Sequence, residues 1–255
     1  MAAEESLIQK QEEALDENLR ELVEAGLFYG RKKSKTHPRM KQAILGNRNG
    51  IEIINLTKTR ESLETTLEFI RTKAKEGSSL FFVGTQPPAE GIVALAKEFG
   101  YPYVSRRWLG GTLTNSKVIL GRIEYYKKLK SDVQSGALEK YTKKERLGME
   151  KELARLDELM GGLETYTGRP GALIIIDPNL HMTAVREART IGAPIVALIN
   201  TDCDPDLINY PVPGNNKSVT SVNWFLDKVK EAIKEGKAAA PKAEAPAEEK
   251  KKDKE

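Results

Sequence analysis

Three short apolar runs do most to limit the folds open to this chain: "SLFFVGT" (79–85), "ALIIID" (172–177) and "PIVALIN" (194–200). Each is continuous, not alternating, so a strand built from it must be covered on both faces. Helical patterns stand between them. In "TRESLETTLEFIRTKAKEG" (59–77), Leu63, Leu67 and Ile70 recur at helical spacing and Gly77 supplies a terminator. A second helix opens at Pro87 and Pro88 and closes at Gly100, and a third lies near 181–191. Counting "GIEIINL" (50–56) and "YPYV" (101–104), about five strands alternate with helices. This order predicts an α/β fold: a Rossmann-like parallel sheet of βαβ units with right-handed crossovers, flanked by helices.

The alternation breaks between Leu113 and Gly161. Ile119, Ile123, Tyr126 and Val133 form one apolar stripe, and Met149, Leu153, Leu156 and Met160 form another. Two such arms joined at Ser135-Gly136 predict an inserted antiparallel coiled-coil hairpin. Arms of roughly 20 residues would project about 30 Å at 1.5 Å per residue. The expected organisation is therefore a sheet domain from 1–112 and 161–236, a protruding hairpin at 113–160, and a tail at 237–255. That tail is Ala, Pro, Lys and Glu without a large apolar residue and is expected to be disordered. At the other end, Leu15, Leu19 and Leu22 predict a short helix with an acidic outer face, ended by Gly26. The helix of "SVNWFLDKVKEAIKEG" (221–236) offers Val222, Phe225, Val229 and Ile233 to a core.

No apolar run approaches a membrane span. The acidic start lacks the basic-then-apolar order of a secretory signal, so the first residues are expected to stay in the mature protein. A single cysteine, Cys203, excludes an internal disulfide and a thiolate cluster. A cytoplasmic location fits. The net charge of +4 hides a segregation: −6 over residues 1–30, +12 over 31–130 and −2 over 131–255. A polyanion belongs against the middle segment.

Neither G-x-G-x-x-G after the first strand nor G-x-x-x-x-G-K-[ST] occurs, so the backbone cradles that bind nucleotide phosphates are missing. "GTQPPAEG" (84–91) puts small and polar residues where such sheets bind ligands, but it also reads as an ordinary loop into a helix. Asp177 and His181 resemble an acid/base pair on a strand-to-helix loop, with no third group to orient them; a bracing role for Asp177 at the Pro178 turn is the plainer reading. Asp202, Asp204 and Asp206 imitate the start of a calcium loop, yet Leu207 and Pro213 stand where that loop needs glycine and glutamate. The surrounding "NTDCDPDLINYPVPGNN" (200–216) reads as a long, rigid turn at the edge of the sheet.

Two segments point to nucleic acid. "SRRWLGGTLTN" (105–115) sets Arg106 and Arg107 beside Trp108, planar donors for phosphate next to an aromatic face; a solvated arginine pair with a core tryptophan is the alternative. "RKKSKTHPRMK" (31–41) holds six bases and no acid, and lies inside the fold between a helix and a strand. Charges held together without acids repel unless an anion neutralises them, and the phosphate backbone is the natural partner.

These residues, with "HPRMKQAILGNRNGIEIINLTKT", "FVGTQ", "RWLGGTLTN" and "AVREARTIGAPIVALINTDCDPDLINYPVPGNN", resemble the S-two family of bacterial small-subunit ribosomal proteins, in order and over about residues 7–235. The resemblance implies a Rossmann-like domain without nucleotide chemistry, carrying a coiled coil and bound to small-subunit ribosomal RNA. It also implies neighbouring ribosomal proteins as partners, the S-one protein among them. One departure is visible: "AGLFYGRKKSKTHPRM" replaces a family pattern richer in histidine, losing histidines and gaining lysines. The expected RNA-binding residues are Arg31, Lys32, Lys33, Lys35, His37, Arg39, Lys41, Arg48, Arg106, Arg107, Trp108 and Asn115. No catalytic residue, cofactor, metal, membrane or small-molecule substrate is expected. The alternative is an α/β enzyme acting on a phosphorylated small molecule at the strand ends around Thr85, Asp177 and Thr201.

Overall fold

The computed structural model of the protein describes residues 19–239. The chain comes out of α1 (helical over 19–24) into β1 (Tyr29–Lys32), and after two segments of 3-10 helix reaches β2 (Ile44–Arg48) and β3 (Ile51–Ile54). These three strands make an antiparallel sheet in the order β1-β3-β2. Then follow α2 (Leu56–Lys75), β4 (Leu80–Val83), α3 (Gly91–Phe99), β5 (Tyr103–Val104), α4 (Ser116–Gln134) and α5 (Lys143–Met160). The last third holds β6 (Ala172–Ile176), α6 (Met182–Ile191), β7 (Ile195–Ile199), β8 (Tyr210–Pro213) and α7 (Val219–Ala238). Strands β4 to β8 form one parallel sheet in the order β5-β4-β6-β7-β8.

Period-two alternation divides the core between the faces of the parallel sheet. Phe81, Val83, Leu173, Ile175, Ala197 and Ile199 face α6 and the bases of α4 and α5. Leu80, Phe82, Ile174, Ile176, Val196 and Leu198 face α1, α2, α3 and α7. Both sets are buried, which is why these strands read as continuous apolar runs. Helix ends follow local chemistry. Asn55 caps α2 by accepting from Thr57 N–H at 3.1 Å, and α6 stops at Gly192, whose φ of 70° is the left-handed region glycine adopts without strain.

Helices α4 and α5 pack on each other and on the sheet. Ile119, Ile123, Tyr126 and Leu129 from α4 meet Leu156 and Met160 from α5 inside the same core cluster as Phe81 and Trp108. Tyr126 donates its hydroxyl to Asp157, and Lys130 reaches Glu164 at 2.6 Å; burial and those two carboxylates push the Tyr126 phenol well up. Glu145 accepts from both the backbone N–H (2.9 Å) and the hydroxyl (2.8 Å) of Thr142, which starts α5 and lowers the Glu145 pKa.

Three expectations need correction. "GIEIINL" is not part of the parallel sheet. It is β3, joined to β2 by a tight turn in which Asn49 (φ 51°) and Gly50 (φ 79°) both take positive φ, the turn that suits an antiparallel hairpin. The fifth parallel strand is instead β8, inside the segment read as a turn. Its prolines are tolerated because it pairs with β7 alone, at the sheet edge. Finally, α7 runs to Ala238, so the first two residues assigned to the tail are helical. Residues 240–255, and Leu15 with the acids around it, lie outside the described residues.

Candidate nucleic-acid interface

The basic segment is held against the carboxyl end of β7. Arg31 N–H donates to Thr201 Oγ1 at 2.9 Å, and His37 N–H donates to the Thr201 carbonyl at 2.8 Å. Gly30 permits the approach: a Cβ there would sit 2.7 Å from the Glu52 carbonyl oxygen and 2.9 Å from Thr201 Cγ2. Two arginines then clamp to the aspartates that follow β7. Arg31 Nε lies 3.3 Å from Asp202, while Arg39 Nη1 lies 3.2 Å from both Asp204 oxygens and 2.6 Å from Asp206. Partial burial works against the Asp204 charge, but the Asp206 N–H and the Arg39 guanidinium outweigh it and hold its pKa below the ordinary value.

The three alternate aspartates are thus internal counter-ions for a basic loop. Sequence reasoning missed this, although alternate carboxylates in a chain with an acid-free basic run were a visible signal. Among the described residues no group of three or more His, Cys, Asp or Glu could hold a metal ion.

With Arg31 and Arg39 engaged, the outward charge is Lys32, Lys33, Lys35, Lys41 and Arg48. All five are exposed, and none forms an ion pair with a carboxylate among the described residues. His37 is half-buried, its Nδ1 accepting from Arg39 N–H at 3.4 Å. Tyr29, Leu45 and Ile51 add exposed apolar area on the same small sheet.

The second segment leaves the carboxyl end of β5, at the same end of the parallel sheet. Arg106 and Arg107 are exposed, with only a loose contact from Arg106 to Glu158 at 3.8 Å. Asn115 is exposed at the N-terminus of α4. Trp108 corrects the expectation of an aromatic face for RNA: it is 9% exposed, meets Phe81 edge-on at 5.5 Å and donates Nε1–H to Glu187 at 3.1 Å. A ring so enclosed is a core residue. Glu187 itself gave no sequence signal, being one acid on an amphipathic helix.

The strand ends that would serve an enzyme are occupied by the protein's own groups. β4 and β6, from which the chain winds in opposite directions, flank the crevice where such sheets bind ligands. There Asp177, buried and at φ 62°, accepts from Gln86 Nε2 at 2.8 Å and from Lys217, whose ammonium also reaches Gln86 Oε1 at 2.8 Å. Thr201 is taken by the basic segment. His181 is buried; desolvation lowers its pKa, with Asp177 opposing and Lys217 adding to the shift. Burial pushes the Cys203 thiol up to about 12, so it is inert as a nucleophile. No helix among the described residues is long and apolar enough to cross a membrane.

A family model described as ribosomal protein S2 matches residues 22–236. The chain belongs to the ribosomal protein S2 family. It is 41% identical over 220 residues to the small ribosomal subunit protein uS2 of Coprothermobacter proteolyticus, covering 86% of this chain and 82% of that one. The uS2 protein of Synechococcus elongatus is 40% identical over 229 residues, 89% of this chain and 91% of its own. That of Dictyoglomus thermophilum is 41% identical over 220 residues, 86% and 89%. The family is one of ribosomal structural proteins, so the enzyme alternative around Thr85, Asp177 and Thr201 is set aside.

Proposed function

We propose that the chain is a structural, RNA-binding component of the small ribosomal subunit in the cytoplasm, and that Lys32, Lys33, Lys35, Lys41 and Arg48 neutralise ribosomal RNA phosphates. The observation that carries this reading is the division of labour within one basic segment. Arg31 and Arg39 spend their charge on Asp202, Asp204 and Asp206, fixing the segment to the sheet domain and leaving five cations outward. Phosphate contacts position a protein on RNA only if their own geometry is fixed, and each releases counterions. Arg106, Arg107 and Asn115 extend the interface at the same end of the sheet, and His37 shapes the turn between the clamps. The outer part of the α4 and α5 pair forms an arm beyond the sheet domain.

Neighbouring ribosomal proteins, the S-one protein among them, fit the other face. Glu21 and Glu24 of α1 and Asp227 and Glu231 of α7 line a groove of about 630 Å³ together with Ala25, Val219, Trp224 and a single base, Lys228. An acidic groove of this kind would repel RNA phosphates and favour a partner segment with basic residues.

The test is reversal of Lys32, Lys33, Lys35 and Lys41 to Glu. Exposed charges contribute little to stability, so the variant keeps the wild-type thermal midpoint. Its incorporation into small subunits in cells falls at least about tenfold. A folded variant that incorporates normally refutes the assignment.

A further inference from the structure

Glu187 sits on α6, 8% exposed, with Ala184, Val185 and Ala188 buried around it. Its two oxygens collect five donors from one loop. Oε1 accepts from Trp108 Nε1 (3.1 Å) and Gly111 N–H (2.8 Å). Oε2 accepts from Leu113 N–H (3.0 Å), Thr114 N–H (3.4 Å) and the Thr114 hydroxyl (3.5 Å). No lysine or arginine among the described residues pairs with it. Its charge is met by loop dipoles. Three converging backbone N–H groups, with Gly111 at φ 86°, form a concavity suited to an anion, and the protein supplies that anion from its own α6.

We propose that Glu187 is a positioning residue for RNA binding, its buried carboxylate holding the loop from Trp108 to Thr114 so that Arg106, Arg107 and Asn115 are in place before RNA arrives. This rests on the reading of those three residues as RNA contacts. The loop contains Gly110 and Gly111 and would sample many conformations unaided. With the carboxylate bound it is pinned at four residues, and the Asn115 N–H donates to the Gly111 carbonyl at 2.8 Å, which fixes where α4 begins. Tyr166 adds a second tether, its hydroxyl lying 2.9 Å from the Thr112 carbonyl and 2.5 Å from the Gly168 carbonyl, between which its proton is shared. A side chain prepaid in order loses less freedom on binding, so affinity depends on a residue that touches no RNA.

The experiment compares Glu187→Gln, Arg106→Gln/Arg107→Gln and the triple variant, binding each full-length protein to small-subunit particles that lack it. Gln keeps the shape but turns an NH₂ group toward donors. Amide exchange at Gly111, Leu113 and Thr114 rises at least about tenfold in the Gln variant while β6 and β7 amides are unchanged, and affinity for the particles falls about tenfold. On the background without Arg106 and Arg107, Glu187→Gln lowers affinity by no more than about threefold, because most of its effect passes through those arginines and only the part carried by Asn115 remains. Additive losses in the triple variant overturn the proposal, since a merely structural role produces them. Wild-type affinity for the arginine double variant refutes the RNA reading of the loop and the positioning role with it, while loop exchange separately reports whether Glu187 holds the loop. Should the Gln variant not fold, the free wild-type protein decides: unprotected exchange at those three amides overturns the proposal.

Discussion

Single charged groups in this protein are settled by what faces them. Asp177 is the sharpest case, a carboxylate whose side chain is 3% exposed, in a strained backbone region, with Lys217 (32% exposed) as its cation. Replacing Lys217 by Met leaves that carboxylate enclosed and unpaired, which costs at least about 2 kcal/mol. Urea unfolding measures it, and adding Asp177→Asn recovers part of the loss, because the uncompensated charge is gone. His181 gives a second residue-scale prediction, with its sign set by burial. Its folded pKa lies below the ordinary 6.5, so the unfolded chain binds the proton more readily. Stability is full above 6.5, declines as pH falls from there through the lowered folded value, and then levels off. Unfolding at pH 7.5 and pH 5.5 shows this decline in the wild type and a smaller one in His181→Gln. An equal decline in both shows that other groups govern this range.

At the scale of elements, legibility in the sequence followed burial. β4, β6 and β7 are covered on both faces and their apolar runs announced them. β8 did not, because "YPVP" looks like a turn until its place at an edge excuses the prolines. β1, "YGRK", carries no strand pattern; its place comes from pairing with β3 and from the clamp at Thr201, both long-range. Charge counts made the basic segment visible, but not which of its members face inward, since Asp202 is 171 residues away from Arg31. Trp108 was ambiguous for the same reason. The two apolar stripes of α4 and α5 were legible, whereas their shared core with the sheet was not. That sharing divides the pair: Tyr126, Leu129, Leu156 and Met160 belong to the domain core, while the region between them and the turn is mostly exposed. Excising residues 131–148 and closing the gap with a short turn therefore changes unfolding free energy by no more than about 2–3 kcal/mol, from the lost cap at Thr142 and the burial of Leu138. Tyr126→Ala costs about 3–5 kcal/mol by opening the core. Denaturant unfolding of the two variants separates the outer part of the pair from the part in the core, and an excision as costly as the core substitution refutes the division.

For the molecule as a whole, part of the charge segregation along the sequence persists in space, while bases of α2 such as Arg60 and Arg71 are paired on the helical layer. The outward cations lie beyond the carboxyl ends of the parallel strands, and the acids of α1 and α7 line a groove on the helical layer over the other core cluster. Lys228 sits inside that groove, within 3.2 Å of Glu21 and 5.6 Å from the Trp224 ring centre, so the acids outnumber the base without being fully neutralised. A phosphate backbone would be repelled there and attracted at the basic end, a difference that would favour one orientation on approach. Reversing Glu24, Asp227 and Glu231 to Lys should then separate the two partners. These residues are not needed to neutralise phosphate, so incorporation into the subunit stays near the wild-type level. Recovery of a neighbouring ribosomal protein with the purified subunit falls, because the groove now repels a basic segment. The measurement is quantitative protein composition of subunits isolated from cells expressing the variant. Every neighbour at wild-type abundance would show that the groove docks nothing and serves only to cover Trp224 and the packing of α1 on α7.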